Sequence, residues 1–175
     1  MFLIASLGLF TSCLLPPVIA PISDPFREPA CEWCPGNRGL EYAVPAGTPV
    51  RAAAAGTVTF SGPVAGTFYV VVQHADGMRA TYGQLTGSHL AAGDVVVAGA
   101  IVGTSAGGLH FGLRVGDRYV DPALFIGRVV ERVRLVPTDG SAPRPAPPPR
   151  LECPATAVRT AADRPVSSPN RSTVR

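Results

Sequence analysis

Two cysteines three positions apart are the first residues of the chain that could do chemistry. Cys31 and Cys34 enclose Glu32 and Trp33, a spacing that suits a local disulfide, half of a zinc site or a redox pair. A structural zinc ion needs four ligands and the sequence holds no second pair of this kind, so we expect a disulfide. Cys153 then stays unpaired, unless it takes one of these two cysteines as its partner.

Every basic residue of the chain is an arginine, because lysine is absent. This absence excludes a Schiff-base lysine, a Walker-type phosphate-binding lysine and a biotinyl or lipoyl attachment site. The formal net charge is +3, and the excess of arginine lies beyond residue 136. The preceding part is neutral overall, so we expect no nucleic-acid-binding face on it.

Three further segments carry polar residues in a fixed order along the chain: Asn37-Arg38-Gly39-Leu40-Glu41-Tyr42, Thr81-Tyr82-Gly83-Gln84-Leu85 and Gly107-Gly108-Leu109-His110-Phe111-Gly112. They resemble the H-x-G-x-D-[FY], Y-x-H-L and H-L-H-F signatures of the lysostaphin-type (LytM-like) zinc endopeptidases, which cut peptide cross-links in bacterial peptidoglycan. The chain is similar to secreted actinobacterial members of that family. The resemblance implies an all-β, lysostaphin-like β-sandwich or barrel-sandwich hybrid with a duplicated hybrid motif.

The resemblance also assigns a role to each position of the three signatures. In the family, the first His, the Asp and the last His bind zinc, and these positions hold Asn37, Glu41 and His110 here. The two His that orient the water and stabilise the tetrahedral intermediate correspond to Gln84 and Gly108. Four of the five functional positions are therefore replaced, and His110 is the one retained.

These replacements predict a chain without ordinary hydrolytic chemistry. An amide is a weak zinc donor, and Glu41 carries its carboxylate one methylene further out than Asp. Gln84 cannot exchange a proton near neutral pH, and Gly108 offers only backbone. We therefore expect no catalytic residue and no bound zinc, with the His110 ring held by Glu41 or Asn37 as the favoured arrangement.

Two further expectations concern the surroundings of these positions. The family arrangement places Trp33, Tyr42 and Tyr82 along the peptide-binding groove, although Trp33 could equally cap the local core. A compensating zinc site is the alternative to metal loss, and its donors would be Cys34, Glu41 and His110, with Cys31 as a fourth.

The elements that must position these residues are short and rich in Val and Thr, with Gly between them. Asp76-Gly77 between two alternating runs predicts a β-hairpin. No stretch of helical period and useful length occurs, so the fold should be nearly all β. The segments 46–52 and 92–98 share Ala-Gly, Val and Ala positions, which predicts a half-repeat that packs two sheets face to face.

The two ends differ in composition from the middle. Residues 1–20 form an apolar stretch predicted to be a signal peptide or N-terminal anchor, in which the residues before Cys13 faintly resemble a lipoprotein processing site. Residues 21–30 form a lead segment and 31–136 the peptidase-like domain. Residues 137–175 are rich in Pro and Arg and are predicted to be a disordered tail.

Together these observations predict an exported protein, secreted or attached to the cell envelope and monomeric. The predicted role is to bind peptidoglycan or to regulate cell-wall hydrolases, without nucleic acid and with membrane contact only through the N-terminal segment. Two alternatives stay open. One is an active zinc-dependent peptidoglycan endopeptidase with an unorthodox metal site, and the other is a structural protein-interaction module of the envelope.

Overall fold

The computed structural model describes residues 13–31, 33–130, 137–138, 141–142, 145 and 147–154. Apart from a single 3-10 turn at Pro122–Leu124, the regular elements of these residues are eleven strands: β1 Ile22–Asp24, β2 Gly39–Tyr42, β3 Pro49–Arg51, β4 Gly56–Val64, β5 Thr67–His74, β6 Met78–Gly87, β7 Val95–Val96, β8 Ile101–Val115, β9 Arg118–Val120, β10 Arg128–Val130 and β11 Arg150–Glu152. Within them, no helix has the length and apolar character needed to cross a membrane. The predicted all-β fold is confirmed.

Nine of the strands form one antiparallel sheet in the order β1-β2-β8-β6-β5-β4-β7, with β3 and β9 also paired to β8. The central strand is β8, whose 15 residues contact four other strands. The predicted hairpin joins β5 to β6. Its turn has Gly77 at φ +85°, and the N–H of Met78 donates to Asp76 Oδ1 at 2.9 Å.

The two half-repeats enter the sheet through equivalent turns. Gly47 and Gly93 have φ values of +86° and +99°, a region that suits glycine. β3, from the first half, pairs with the beginning of β8, while β7, from the second half, pairs with the beginning of β4. Each half therefore completes the other, and hydrogen bonds connect the strands of both halves into one nine-stranded sheet.

The core is formed by alternate residues of the long strands, as the period of two in a β-strand requires. The fully buried rings of Tyr82 and Phe111 have their centroids 5.3 Å apart. Tyr82 keeps its hydroxyl satisfied by accepting a hydrogen bond of 2.7 Å from the N–H of Ala53. Around them lie further buried side chains: Leu40, Val50, Val58, Val70, Val72, Val102, Leu109 and Leu113.

The segment before β1 also belongs to this core. Leu14 and Val18 are 1% and 7% exposed, and Pro17 is fully buried. Backbone hydrogen bonds fix the segment to the domain, from the Leu14 N–H to Phe125 O and from the Arg51 N–H to Pro17 O, both 2.9 Å. Cleavage after Ala20 would remove these contacts from the folded domain. Residues 1–12 of the predicted signal lie outside the described residues.

A disulfide joins Cys13 to Cys153, with 5.5 Å between their Cα atoms. The expectation that Cys153 stays unpaired is therefore wrong, and the Cys13 sulfur is not available for a lipid. Next to it, β11 pairs with β10, so Arg150–Glu152 departs from the predicted disordered tail. The reason is local, since this short stretch holds no proline and the disulfide fixes its end. Residues 155–175 of the predicted tail lie outside the described residues.

Candidate functional site

The strands β2, β8 and β6 lie side by side and carry the three signature segments. Glu41 of β2 is the register partner of His110 on β8, and His110 is in turn the partner of Gly83 on β6. Side chains directly opposite on neighbouring strands lie within contact distance on one face of the sheet. The fold thus brings together positions that are about seventy residues apart in the sequence.

A hydrogen-bonded cluster of Glu41, His110 and Gln84 occupies the centre of this face. His110 Nδ1 lies 2.5 Å from Glu41 Oε1, and Gln84 Nε2 donates to Glu41 Oε2 at 2.9 Å. An ionised carboxylate only accepts, so Nδ1 is the protonated nitrogen of the ring. The His110 and Glu41 side chains are 21% and 24% exposed. Each carboxylate oxygen of Glu41 is therefore engaged by a neighbouring side chain.

Gln84 reaches Glu41 because β6 is irregular at this point. Its φ is +60°, a left-handed conformation that is uncommon for a residue other than glycine, and the register of β6 against β8 shifts between Gly83 and Leu85. Bulges of this kind redirect side chains next to functional sites. A Cβ atom added at Gly108 would overlap Gln84 Oε1. The glycine at one replaced catalytic position thus makes room for the glutamine at the other.

Asn37 is buried, and both ends of its amide are engaged. Its Nδ2 donates to Pro25 O at 3.1 Å and to Asp24 O and Oδ2 at 3.3 Å, while its Oδ1 accepts from the N–H of Gly39 at 3.2 Å. The hydrogen bond from Arg27, supported by that from Asn37, holds the pKa of Asp24 below its ordinary value. Asn37 therefore ties the lead segment to β2.

The residues present do not fit a zinc site of the kind that the resemblance implies. Zinc needs three firm protein donors, but only Glu41 and His110 are of the usual kinds here, because Asn37 offers a weakly donating amide oxygen that already accepts from the Gly39 N–H. No group of three His, Cys, Asp or Glu in the described part of the chain could hold a metal ion. The predicted Cys31–Cys34 disulfide is present, with Cα atoms 4.9 Å apart. The compensating site that uses these thiolates is therefore not formed.

Two of the three aromatic residues expected in the groove lie elsewhere. Tyr42 and Tyr82 are 5% and 0% exposed and point into the core, because they alternate with the groove-facing Glu41 and Thr81. Burial raises the pKa of Tyr42 to about 12 and also raises that of Tyr82. Trp33 is 87% exposed on the turn closed by the disulfide, so it does not cap the core.

A depression of about 400 Å³ surrounds the cluster, and the rings in its wall are Tyr69 and Tyr119. A Cβ atom on Gly83 would overlap the Tyr69 ring, so this glycine leaves space for the ring beside His110. The lining consists of Gly36, Asn37, Arg38, Glu41, Tyr69, Thr81, His110, Gly112 and Tyr119. Neither tyrosine was predicted from the sequence to lie in the groove. Tyr69 alternates with buried Val70 on β5, as Thr81 does with buried Tyr82 on β6. This alternation could have predicted that Tyr69 faces the groove.

Comparison with protein families identifies a related group. The model of Peptidase family M23 matches residues 35–122, which include all the signature positions. DD-carboxypeptidase/endopeptidase Mpg of Neisseria meningitidis is 36% identical over 117 residues, covering 61% of this chain and 27% of Mpg. An uncharacterized protein of Mycobacterium tuberculosis is 31% identical over 128 residues, covering 66% of this chain. The chain spans about half the length of this mycobacterial relative, since the match covers 51% of it.

Among solved structures, Helicobacter pylori Csd3 in its hexagonal crystal form matches with a TM-score of 0.59 and 29% identity. The match covers 65% of this chain and 33% of Csd3. Zinc dependence is general in this family, whereas the donor set described above departs from it.

Proposed function

Because the chain belongs to Peptidase family M23, we propose that it is a catalytically degenerate member that binds peptidoglycan peptides at the cell envelope, directly or to regulate cell-wall hydrolases. The observation that carries the proposal is the state of Glu41. Both of its oxygens are engaged, one with His110 and the other with Gln84. In this arrangement Glu41 links β2 to His110 on β8 and to Gln84 on β6 across the floor of the groove.

Hydrolysis by zinc requires two things that these residues lack. The metal must be held by three firm ligands so that the pKa of its bound water falls to about 7. A positioned acid or base then contributes about a hundredfold to ten-thousandfold in rate. Gln84 and Gly108 hold the two positions for proton transfer, and neither can exchange a proton near neutral pH. The two losses compound, so we expect no measurable cleavage.

The groove itself supports a binding role. The depression around Glu41 and His110 is open to solvent and measures about 400 Å³, which lies in the range of ligand sites. The relative Mpg is named for carboxypeptidase and endopeptidase activity, which supports a peptide as the class of ligand. The two disulfides support an oxidising compartment outside the cytoplasm.

The experiment that tests the proposal combines metal analysis with two assays on purified sacculi. We expect the full chain, oxidised or reduced, to contain much less than one zinc per molecule, to sediment with sacculi and to release no new amino groups from them. Near-stoichiometric zinc together with amino-group release that is lost in His110→Ala would establish an active hydrolase instead. The exposed His89 provides the matched control, as His89→Ala. A chain that neither sediments nor cleaves would be a structural interaction module.

A further inference from the structure

A group of arginine side chains around Tyr119 forms a second feature of the groove that the signature positions do not explain. Arg114 is the register partner of Tyr119 between β8 and β9. Its Cζ lies 4.2 Å from the centre of the Tyr119 ring, and its Nη2 donates to the Tyr119 hydroxyl. The Cζ of Arg38 lies 5.7 Å from the centre of the same ring. Two guanidinium groups therefore share one aromatic ring.

A third arginine increases the positive charge at this point. Arg79 on β6 is the register partner of Arg114 on β8, and like charges directly opposite destabilise a sheet. Arg79 has an acidic partner in Asp117 at 3.0 Å, but that side chain is fully exposed. Arg114, which is partly buried, takes part in none of the ion pairs among the described residues. A bound anion would relieve this repulsion and pair with Arg114.

Tyr119 also connects the depression at His110 to two further depressions. One of about 580 Å³ contains Arg79 and Arg114 and extends to exposed apolar side chains, with Phe60 39% and Val64 53% exposed. Another of about 640 Å³ extends towards the Cys31–Cys34 turn. Four arginines, Arg38, Arg79, Arg114 and Arg118, and two acids, Glu28 and Asp117, line these two depressions, so the groove has an excess of positive charge at Tyr119 and is apolar at its far end.

We propose that Arg38, Arg114 and Tyr119 receive the C-terminal carboxylate of a peptidoglycan stem peptide, while the apolar end beside Phe60 and Val64 accepts an aliphatic side chain of the same peptide. The inference rests on the proposed function and names the chemistry that the groove recognises. A guanidinium group pairs with a carboxylate through two parallel hydrogen bonds, which gives orientation as well as affinity. Stem peptides combine free carboxylates with alanine methyl groups, which are the two features that the groove offers to bind.

An acidic segment of another protein is the alternative source of a carboxylate. Tyr119 also lines the depression that contains the signature residues Glu41 and His110. The relative Mpg is named for carboxypeptidase and endopeptidase activity, which favours the stem peptide. The test below separates the two sources.

The test is calorimetric titration of the full chain with a purified disaccharide tetrapeptide that has a free C-terminal carboxylate. Arg114→Gln is expected to weaken binding about tenfold or more, because a hydrogen-bonded charge pair is lost. Arg38→Gln should weaken it less, since its ring distance is longer. Arg128→Gln removes the same charge from β10, where the side chain is 80% exposed and lines none of the three depressions, and should leave the affinity within about twofold of that of the parent chain.

Two comparisons keep the proposal falsifiable. Arg114→Lys keeps the charge but loses the planar fork, so intermediate affinity is expected, and thermal unfolding of each variant shows whether it is folded. The tetrapeptide with an amidated C-terminus should bind the parent chain weakly. Its affinity for Arg114→Gln should be the same as for the parent chain, because the carboxylate that Arg114 pairs with is absent. Equal affinity of the parent chain and folded Arg114→Gln overturns this inference but leaves the proposed function intact. Arg114-dependent binding of a capped acidic peptide, without binding of the tetrapeptide, overturns this inference, and it overturns the proposed function as well if the chain also fails to sediment with sacculi.

Discussion

The two faces of the sheet formed by β2, β6 and β8 differ in how strongly they restrict the residue types that the fold can accept. On the core face, Leu40, Tyr82 and Phe111 are all at most 1% exposed. On the groove face, Glu41 and His110 keep about a fifth to a quarter of their side-chain surface in water. Full burial of a large apolar side chain contributes roughly 1.5–3 kcal/mol, whereas a partly exposed ion pair contributes roughly 0–1 kcal/mol. The core face therefore maintains the fold, and the groove face is free to lose its chemistry.

The largest effect should come from truncating the core face. Phe111→Ala is expected to lower the free energy of unfolding by about 3–5 kcal/mol, because the ring is fully buried against Tyr82. Its neighbour in sequence provides the matched variant, since His110→Ala removes a partly exposed side chain and should cost about 1 kcal/mol. Urea unfolding of both variants measures the difference. Similar losses for the two would remove the distinction between the faces.

The two disulfides provide the next test, because one lies beside a buried segment and the other closes an exposed turn. Cys13–Cys153 spans 140 residues and holds the buried segment at Leu14, whereas Cys31–Cys34 closes an exposed turn over three. In the chain-entropy relation, the longer loop is worth about 3 kcal/mol more to the folded state. Cys13→Ser with Cys153→Ala should therefore destabilise far more than the same changes at Cys31 and Cys34. Equal denaturation midpoints would show that the N-terminal segment is not part of the stable core.

The burial of Tyr42 on the core face of β2 can be tested by measuring how the free energy of unfolding changes with pH. Its pKa is about 12 in the folded chain because of burial and about 10 when unfolded, so the folded state holds the proton more tightly. This contribution of about 2–3 kcal/mol is complete below pH 10 and is lost as the pH rises through 12. Tyr42→Phe should flatten the fall in stability over that range, as measured by urea unfolding at stepped pH. An unchanged pH profile would mean that Tyr42 contributes nothing to it.

The sequence predicted which residues of these strands form the site better than it predicted the face of the sheet to which each side chain points. The resemblance of the three segments to the family signatures implied that Glu41 and His110 share one site, and the residue types of Asp76-Gly77 predicted the turn. Alternation along β2 could have shown that Tyr42 faces away from Glu41. By contrast, a left-handed Gln84 at a bulge depends on tertiary pairing, which no local pattern records.

The N-terminal segment shows a different limit of sequence reasoning. The apolar composition of the segment around Leu14 and Val18 is typical of an export signal. The same apolar side chains are also suited to a protein core, where these two residues are buried. Composition alone cannot distinguish the two environments. Nor can spacing pair Cys13 with a cysteine 140 residues away, since only the fold brings them together.

The smallest expected effect concerns the two replaced catalytic positions themselves. Gly108→Ala places a Cβ on the site of Gln84 Oε1, so the Gln84 side chain must move and its hydrogen bond to Glu41 is lost. We expect a cost of about 1 kcal/mol for Gly108→Ala in the parent chain and a smaller cost in a Gln84→Ala background, where no amide is in the way. Urea unfolding of the four chains in this double-mutant cycle gives the coupling energy. Equal costs of Gly108→Ala in the two backgrounds would mean that the positions are not energetically coupled, whereas a smaller cost in the Gln84→Ala background supports a groove floor in which glutamine and glycine are complementary.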